Sequence, residues 1–222
     1  MPHFLRFALI FVACCAVSIS ATAKKPSKKR TLPAVESSAP AESQLYASRP
    51  DAMLFAGDLA ERRDLDPAWV RAVIGRARFL PQVPRLMLPA PRGTAKNWRA
   101  YRGRFVEPVR IRAGVRFWND NAAALARAEQ EYGVPQEIIV GILGVETLYG
   151  QHMGNIRVLD ALSTLAFDFP TAHPRAAERQ AYFRGELEQF LSLTHRSSTD
   201  PFEPRGSYAG AMGLGQFMPS SW

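Results

Sequence analysis

The chain has 222 residues, 47% of them hydrophobic, and a formal net charge of +8. That is enough for one medium packed domain and a tail, and the composition is that of an ordinary globular protein. The charge is concentrated: Lys24, Lys25, Lys28, Lys29 and Arg30 form one run, and without them and Arg6 about +2 remains. The basic balance is therefore a tail property, and no basic face on a reading helix points to nucleic acid. The two cysteines, Cys14 and Cys15, are adjacent in an apolar run, which excludes a disulfide framework or a thiol metal site in the folded part.

Residues 1–23 have the layout of an export signal: His3 and Arg6, an apolar stretch from Phe7 to Val17, then the small-residue pattern Ala21-Thr22-Ala23. The apolar stretch is short for a transmembrane helix. Cleavage after Ala23 would release the protein, whereas cleavage before Cys14 would leave a lipid anchor there. Both routes lead out of the cytoplasm. Residues 24–50 are rich in Lys, Pro, Ser and Ala and read as a disordered tether. A single domain is expected over 51–222.

From Asp51 the pattern is mainly α-helical. Leu54, Phe55, Leu59 and Arg62 stand at helical spacing over 51–63. Asp66-Pro67 combines an N-cap with a proline at the first helical position, and Trp69, Val70, Val73 and Ile74 follow as one face. Residues 81–95 read as a Pro-rich loop. Helices are expected over 97–105, over 120–132 and over 176–196, the last with Phe183, Leu187, Phe190 and Leu191 on one side. Clean period-2 alternation is never sustained, which argues against extensive sheet.

Two stretches carry the chemistry. In the first, Gly133 to Gly150, Pro135 suits a helix start and Gly150 a C-terminal cap. Ile138, Ile139, Ile142 and Val145 form the expected buried stripe, with Glu146 on or beside it. A carboxylate there would be desolvated and would face the negative end of the helix dipole. Both effects disfavour its charged form and suit a general acid, although a carboxylate tied to an arginine is an equally ordinary reading of such a position. Gly141 and Gly144 imply close approach of another helix or of a ligand. In the second stretch, Gly206 to Trp222, four glycines between 206 and 215 accompany the neutral hydrogen-bonding groups of Ser207 and Gln216 and the surface of Tyr208, Phe217 and Met218. That mixture suits a sugar, with hydroxyls at its rim and C–H groups on its face, and it also describes a plain connecting loop.

These blocks resemble the lytic murein transglycosylase B family. The resemblance rests on Gly133–Gly150, on Ile156–Phe167, on Tyr182-Phe-Arg-Gly-Glu-Leu187, on Tyr101-Arg-Gly-Arg-Phe105 and on Gly206–Ser221. The Glu-Thr-x-x-Gly and Gly-Gln-Phe-Met-Pro-Ser-Ser motifs are its most specific parts. It implies a lysozyme-like, mainly α transglycosylase domain. The implied reaction cuts the β-1,4 bond between N-acetylmuramic acid and N-acetylglucosamine and leaves a 1,6-anhydro end.

Glu146 matches the family's catalytic glutamate, and the substrate's acetamido group stands in for a second carboxylate. Ser207 and Gln216 match groove positions, as do Tyr101, Tyr182 and Arg179. Around Arg179 the link Phe169–Tyr182 is longer than the family's and lacks an Arg-Arg pair, which makes Arg175 a second candidate there. Family members continue past this block, some with a calcium loop. The resemblance therefore implies a domain incomplete at its C-terminal end, acting in the periplasm on peptidoglycan strands with no cofactor or metal.

Two other readings stay open on the sequence. One is a muramidase-type hydrolase using Asp160 or Asp168 as a second carboxylate. The other is a non-catalytic murein-binding protein. His173 and His195 lack metal-ligand spacing and read as surface residues.

Overall fold

In the computed structural model the residues described are 45–89, 93 and 97–222. The export signal, Cys14 and most of the expected tether lie outside them. The last residues of that tether are part of the fold: Tyr46, in a 3-10 turn over Tyr46–Ser48, is buried, and its hydroxyl donates to Asp168 Oδ2 at 2.6 Å. Arg49 joins the same carboxylate at 2.9 Å. Burial, and then Asp168, push the Tyr46 phenol well above its ordinary value.

The main core is built from α1 (Pro50–Arg63), α2 (Pro67–Gly75), α8 (Val158–Phe167) and α9 (Ala176–Arg196). The short α3 (Gln82–Leu86) packs on α8 inside the expected Pro-rich loop. Asp66 caps α2 as its sequence predicts, accepting from the Ala68 N–H at 2.8 Å. In α1 the buried face is Ala52, Ala56, Leu59 and Ala60, while Leu54 is exposed. Small residues, rather than Leu54 and Phe55, let α2 approach. Every residue of α8 is buried, its polar Asp160, Ser163 and Thr164 included. Its one carboxylate, Asp160, is compensated by two hydrogen bonds from Arg157 at 2.8 Å and by the Arg78 N–H at 2.9 Å.

A second group of helices carries Tyr101 and Glu146. It comprises α4 (Trp98–Gly103), α5 (Pro108–Asp120), α6 (Ala122–Tyr132) and α7 (Gln136–Thr147). The sequence reading missed α5, although Glu107 caps it by accepting from the Val109 and Arg110 N–H groups and Pro108 starts it. The ladder between β1 (Ile156–Arg157) and β2 (Arg205–Gly206) is two residues long and antiparallel. It ties the segment after α7 to the glycine-rich C-terminal block.

Candidate active site

Glu146 is the penultimate residue of α7, and it is exposed. The expected buried stripe is wrong in detail. Val140, Gly144 and Thr147 are the buried positions, while Ile138, Ile142 and Val145 are about half exposed. The helix packs through its small residues, so its face is turned away from the large ones. Glu146 lies on the flank of that face.

What holds α7 in place is specific. The Thr147 side chain is fully buried; its hydroxyl donates to the Leu214 carbonyl at 2.9 Å and accepts from the Gly150 N–H at 3.0 Å. The helix ends at Leu148, and both Leu148 and Tyr149 take left-handed backbone angles (φ 51° and 57°). Such a conformation costs about 1–2 kcal/mol per non-glycine residue. It turns Tyr149 back under the helix, where a Cβ on Gly114 of α5 or on Gly144 of α7 would strike its phenol oxygen. Gly144 thus serves close approach. Gly141 has open space beside it and lines a pocket of about 230 Å³ with Phe105, Arg110, Val145 and Tyr149. Arg110 adds a hydrogen bond to the Gly144 carbonyl.

The C-terminal block docks against this turn. The backbone of Gly206 and Ser207 passes so close to Gly154 that a side chain there would collide with it. Ser207 Oγ accepts from the Ala209 and Ala211 N–H groups at 3.3 and 3.1 Å, folding the turn around itself. Gln216, with φ 53°, donates from its amide to the carbonyls of Gly213 (3.0 Å) and Met153 (3.2 Å). Both side chains are half-buried. Both stand against the segment that follows Glu146, and both also hold the loop together.

Tyr182 lies on α9. Its phenol is pushed up by burial and then by the charge of Glu186 one turn on. Arg179 stacks near it, its guanidinium 5.2 Å from the Tyr182 ring centre and 5.3 Å from that of Phe183. Arg175 instead pairs with Glu178 at the surface, which leaves Arg179 as the arginine beside Tyr182. Tyr101 stacks between Trp98 and Phe105, at 5.8 and 5.0 Å. Through Phe105 it adjoins the Gly141 pocket rather than the C-terminal block.

Three comparisons bear on this arrangement. The Transglycosylase SLT domain matches residues 48–222. The membrane-bound lytic murein transglycosylase B of Escherichia coli (strain K12) is 43% identical over 185 residues, 80% of this chain and 49% of that protein. The chain belongs to the lytic murein transglycosylase B family. Among solved structures, the Escherichia coli lytic transglycosylase SLT35 in complex with bulgecin A matches with TM-score 0.71 and 44% identity over 79% of this chain and 54% of that one. The soluble lytic transglycosylase SltB1 from Pseudomonas aeruginosa matches with TM-score 0.70 and 44% identity over 78% and 55%. The chain spans about half the length of the curated relative.

Against the family motifs, the sequence reading overlooked three residues. Thr147 and Tyr149 both stand inside the Glu-Thr-x-x-Gly motif. Glu186 is almost completely buried on α9 and accepts from the Ser220 N–H at 3.0 Å and the Ser220 hydroxyl at 2.7 Å. It thereby anchors the end of the Gly-Gln-Phe-Met-Pro-Ser-Ser motif of the lytic transglycosylases to α9. The motif spacing could have found Thr147, but Glu186 lies 34 positions from its partner and carries no local signal. Among the described residues no group of three or more His, Cys, Asp or Glu could hold a metal.

Proposed function

We propose that the chain cleaves peptidoglycan glycan strands as a lytic transglycosylase, at the β-1,4 bond between N-acetylmuramic acid and N-acetylglucosamine, with Glu146 as its acid and base. The observation that carries this reading is the tie between the residue next to Glu146 and the glycine-rich block bearing Ser207 and Gln216. That tie supports a reading in which the exposed carboxylate works with neutral polar groups that suit a sugar.

In the first step the Glu146 carboxylic acid donates its proton to the glycosidic oxygen, and the bond from that oxygen to muramic C1 breaks. The acetamido oxygen of the same sugar bonds to C1 and takes up the developing positive charge. In the second step the Glu146 carboxylate removes the proton of the C6 hydroxyl. O6 then bonds to C1 as the acetamido oxygen leaves, closing the 1,6-anhydro ring and restoring the acid. Gln216, Ser207, Tyr182 and Arg179 act as hydrogen-bonding and stacking contacts for the strand, and Tyr101 forms the wall nearer α5.

The two carboxylates available for a water-using route favour this scheme by their engagement elsewhere: Asp160 is held by Arg157 and the Arg78 N–H, and Asp168 by Tyr46 and Arg49. The export pattern of residues 1–23 supports action in the periplasm. Anchoring at Cys14 is the alternative to release. Among the described residues no helix is long and apolar enough to cross a membrane.

The test is digestion of peptidoglycan in ¹⁸O-water. Muropeptides that end in anhydromuramic acid without ¹⁸O support the scheme. Reducing ends carrying ¹⁸O would establish a hydrolase instead, and glycan binding without products a non-catalytic protein.

A further inference from the structure

We propose that Tyr149 is the positioning residue for Glu146: its ring, packed with the phenol oxygen between Gly114 of α5 and Gly144 of α7, fixes the turn that carries the carboxylate. This rests on the reading of Glu146 as acid and base. Neither glycine has a positive φ, so backbone conformation does not require them. What requires them is space, because a Cβ at either position would strike the same oxygen atom. Two helices thus converge on one hydroxyl.

The ring has little freedom. It stacks on Phe117 of α5 at 5.2 Å with 27° between planes. Its own backbone is left-handed, immediately after left-handed Leu148, so the chain doubles back and brings the ring under the helix just completed. The Tyr149 N–H bonds the Leu143 carbonyl at 3.2 Å, and Arg110 of α5 bonds the Gly144 carbonyl. These ties bracket Glu146, two residues after Gly144 and three before Tyr149. A slide of α7 along α5 would carry the carboxylate with it, and proton transfer needs donor and acceptor within hydrogen-bond reach. Tyr149 is half-buried with its oxygen between the helices, so its role is to place Glu146 and not to touch the sugar.

The test is a pair of changes that compensate. Gly114→Ala pushes a methyl against the phenol oxygen. Adding Tyr149→Phe removes that oxygen, and the nearest ring atom, Cζ, then stands 3.0 Å from the new methyl. We expect Gly114→Ala to lower kcat at least about tenfold with KM changed by less than about twofold, the signature of a misplaced reacting group. The double variant should recover to within about threefold of Tyr149→Phe alone, an interaction that only residues in contact show. Hydrogen exchange of the amides of Tyr149 and Gly150 should follow the same order: faster in Gly114→Ala, slowed again in the double variant. That second readout needs no turnover, so a chain that cuts no glycan would defeat the functional reading and still decide the lock. If Gly114→Ala is not recovered folded, a folded double variant with near-parental kcat is the same rescue. A double variant no better than Gly114→Ala in either readout overturns the proposal, as does a Gly114→Ala protein with parental kcat and exchange.

Discussion

Thr147 and Leu214 lie 67 positions apart, and the Thr147 hydroxyl reaches the Leu214 carbonyl at 2.9 Å from a fully buried position. Because Thr147 is the neighbour of Glu146, this bond registers the helix that presents the carboxylate against the loop that presents Ser207 and Gln216. Thr147→Val keeps the shape but leaves the Leu214 carbonyl and the Gly150 N–H without their partner. The expected loss is about 1–3 kcal/mol of stability, read by urea denaturation, together with a fall in turnover of peptidoglycan.

Glu186 does for the far end of the block what Thr147 does for its middle. Glu186→Ala removes the acceptor of two hydrogen bonds from Ser220. A rise in KM is expected as the block loosens from α9, with a loss of about 1–3 kcal/mol in denaturation. Glu186→Gln retains an acceptor oxygen and should lie between the parent and the alanine variant in both measurements.

Asp160 is a structural carboxylate on this account. Asp160→Ala strands the Arg157 guanidinium and the Arg78 N–H, and breaking such a buried pair costs about 3–5 kcal/mol. The protein that remains folded should keep its kcat at a temperature well below the lowered midpoint. A loss of kcat in folded protein at full stability would instead mark Asp160 as the second carboxylate of a hydrolase.

Stability should fall in acid partly through Glu188. Burial pushes its carboxyl up, but hydrogen bonds from Arg62 and Arg63 outweigh that and leave it below its ordinary value. A depressed carboxyl contributes stability that is present above the unfolded value, near about 4.3, and is lost as pH falls through the folded one. Glu188→Gln should therefore be less stable than the parent at pH 7, and the difference should shrink below about pH 4. Both arginines are more than a third exposed, so the gap at pH 7 is expected to be about 1 kcal/mol or less. Thermal melts of the two proteins across pH 3–7 measure it.

The parts of this molecule legible in its sequence are those with local chemistry. Asp66-Pro67 announces α2, and the Phe183, Leu187, Phe190 and Leu191 stripe announces α9, whose buried residues include all four. The helices around the site defeat that logic, because they meet through small residues. In α5 the buried positions are Ala113 and Gly114, while Val109, Ile111 and Val115 face outward; in α7 Gly144 and Thr147 are buried and Ile142 is not. A pattern of large apolar residues points away from such contacts. That is why apolar spacing does not announce α5, although Glu107-Pro108 marks its start, and why Glu146 lies nearer the surface than its position in the apolar run suggests. The assignment of Glu146 as acid and base rests on its motif, which says nothing of burial.

The most direct test of the central claim compares the chain with its Glu146→Gln variant on purified peptidoglycan, the released muropeptides being read by mass spectrometry. Glutamine keeps the size and the hydrogen-bonding oxygen but cannot exchange the proton. The account predicts anhydromuropeptides from the parent and a rate at least about 10²-fold lower from the variant, with glycan binding retained. Equal yields of anhydro ends from both proteins would contradict it.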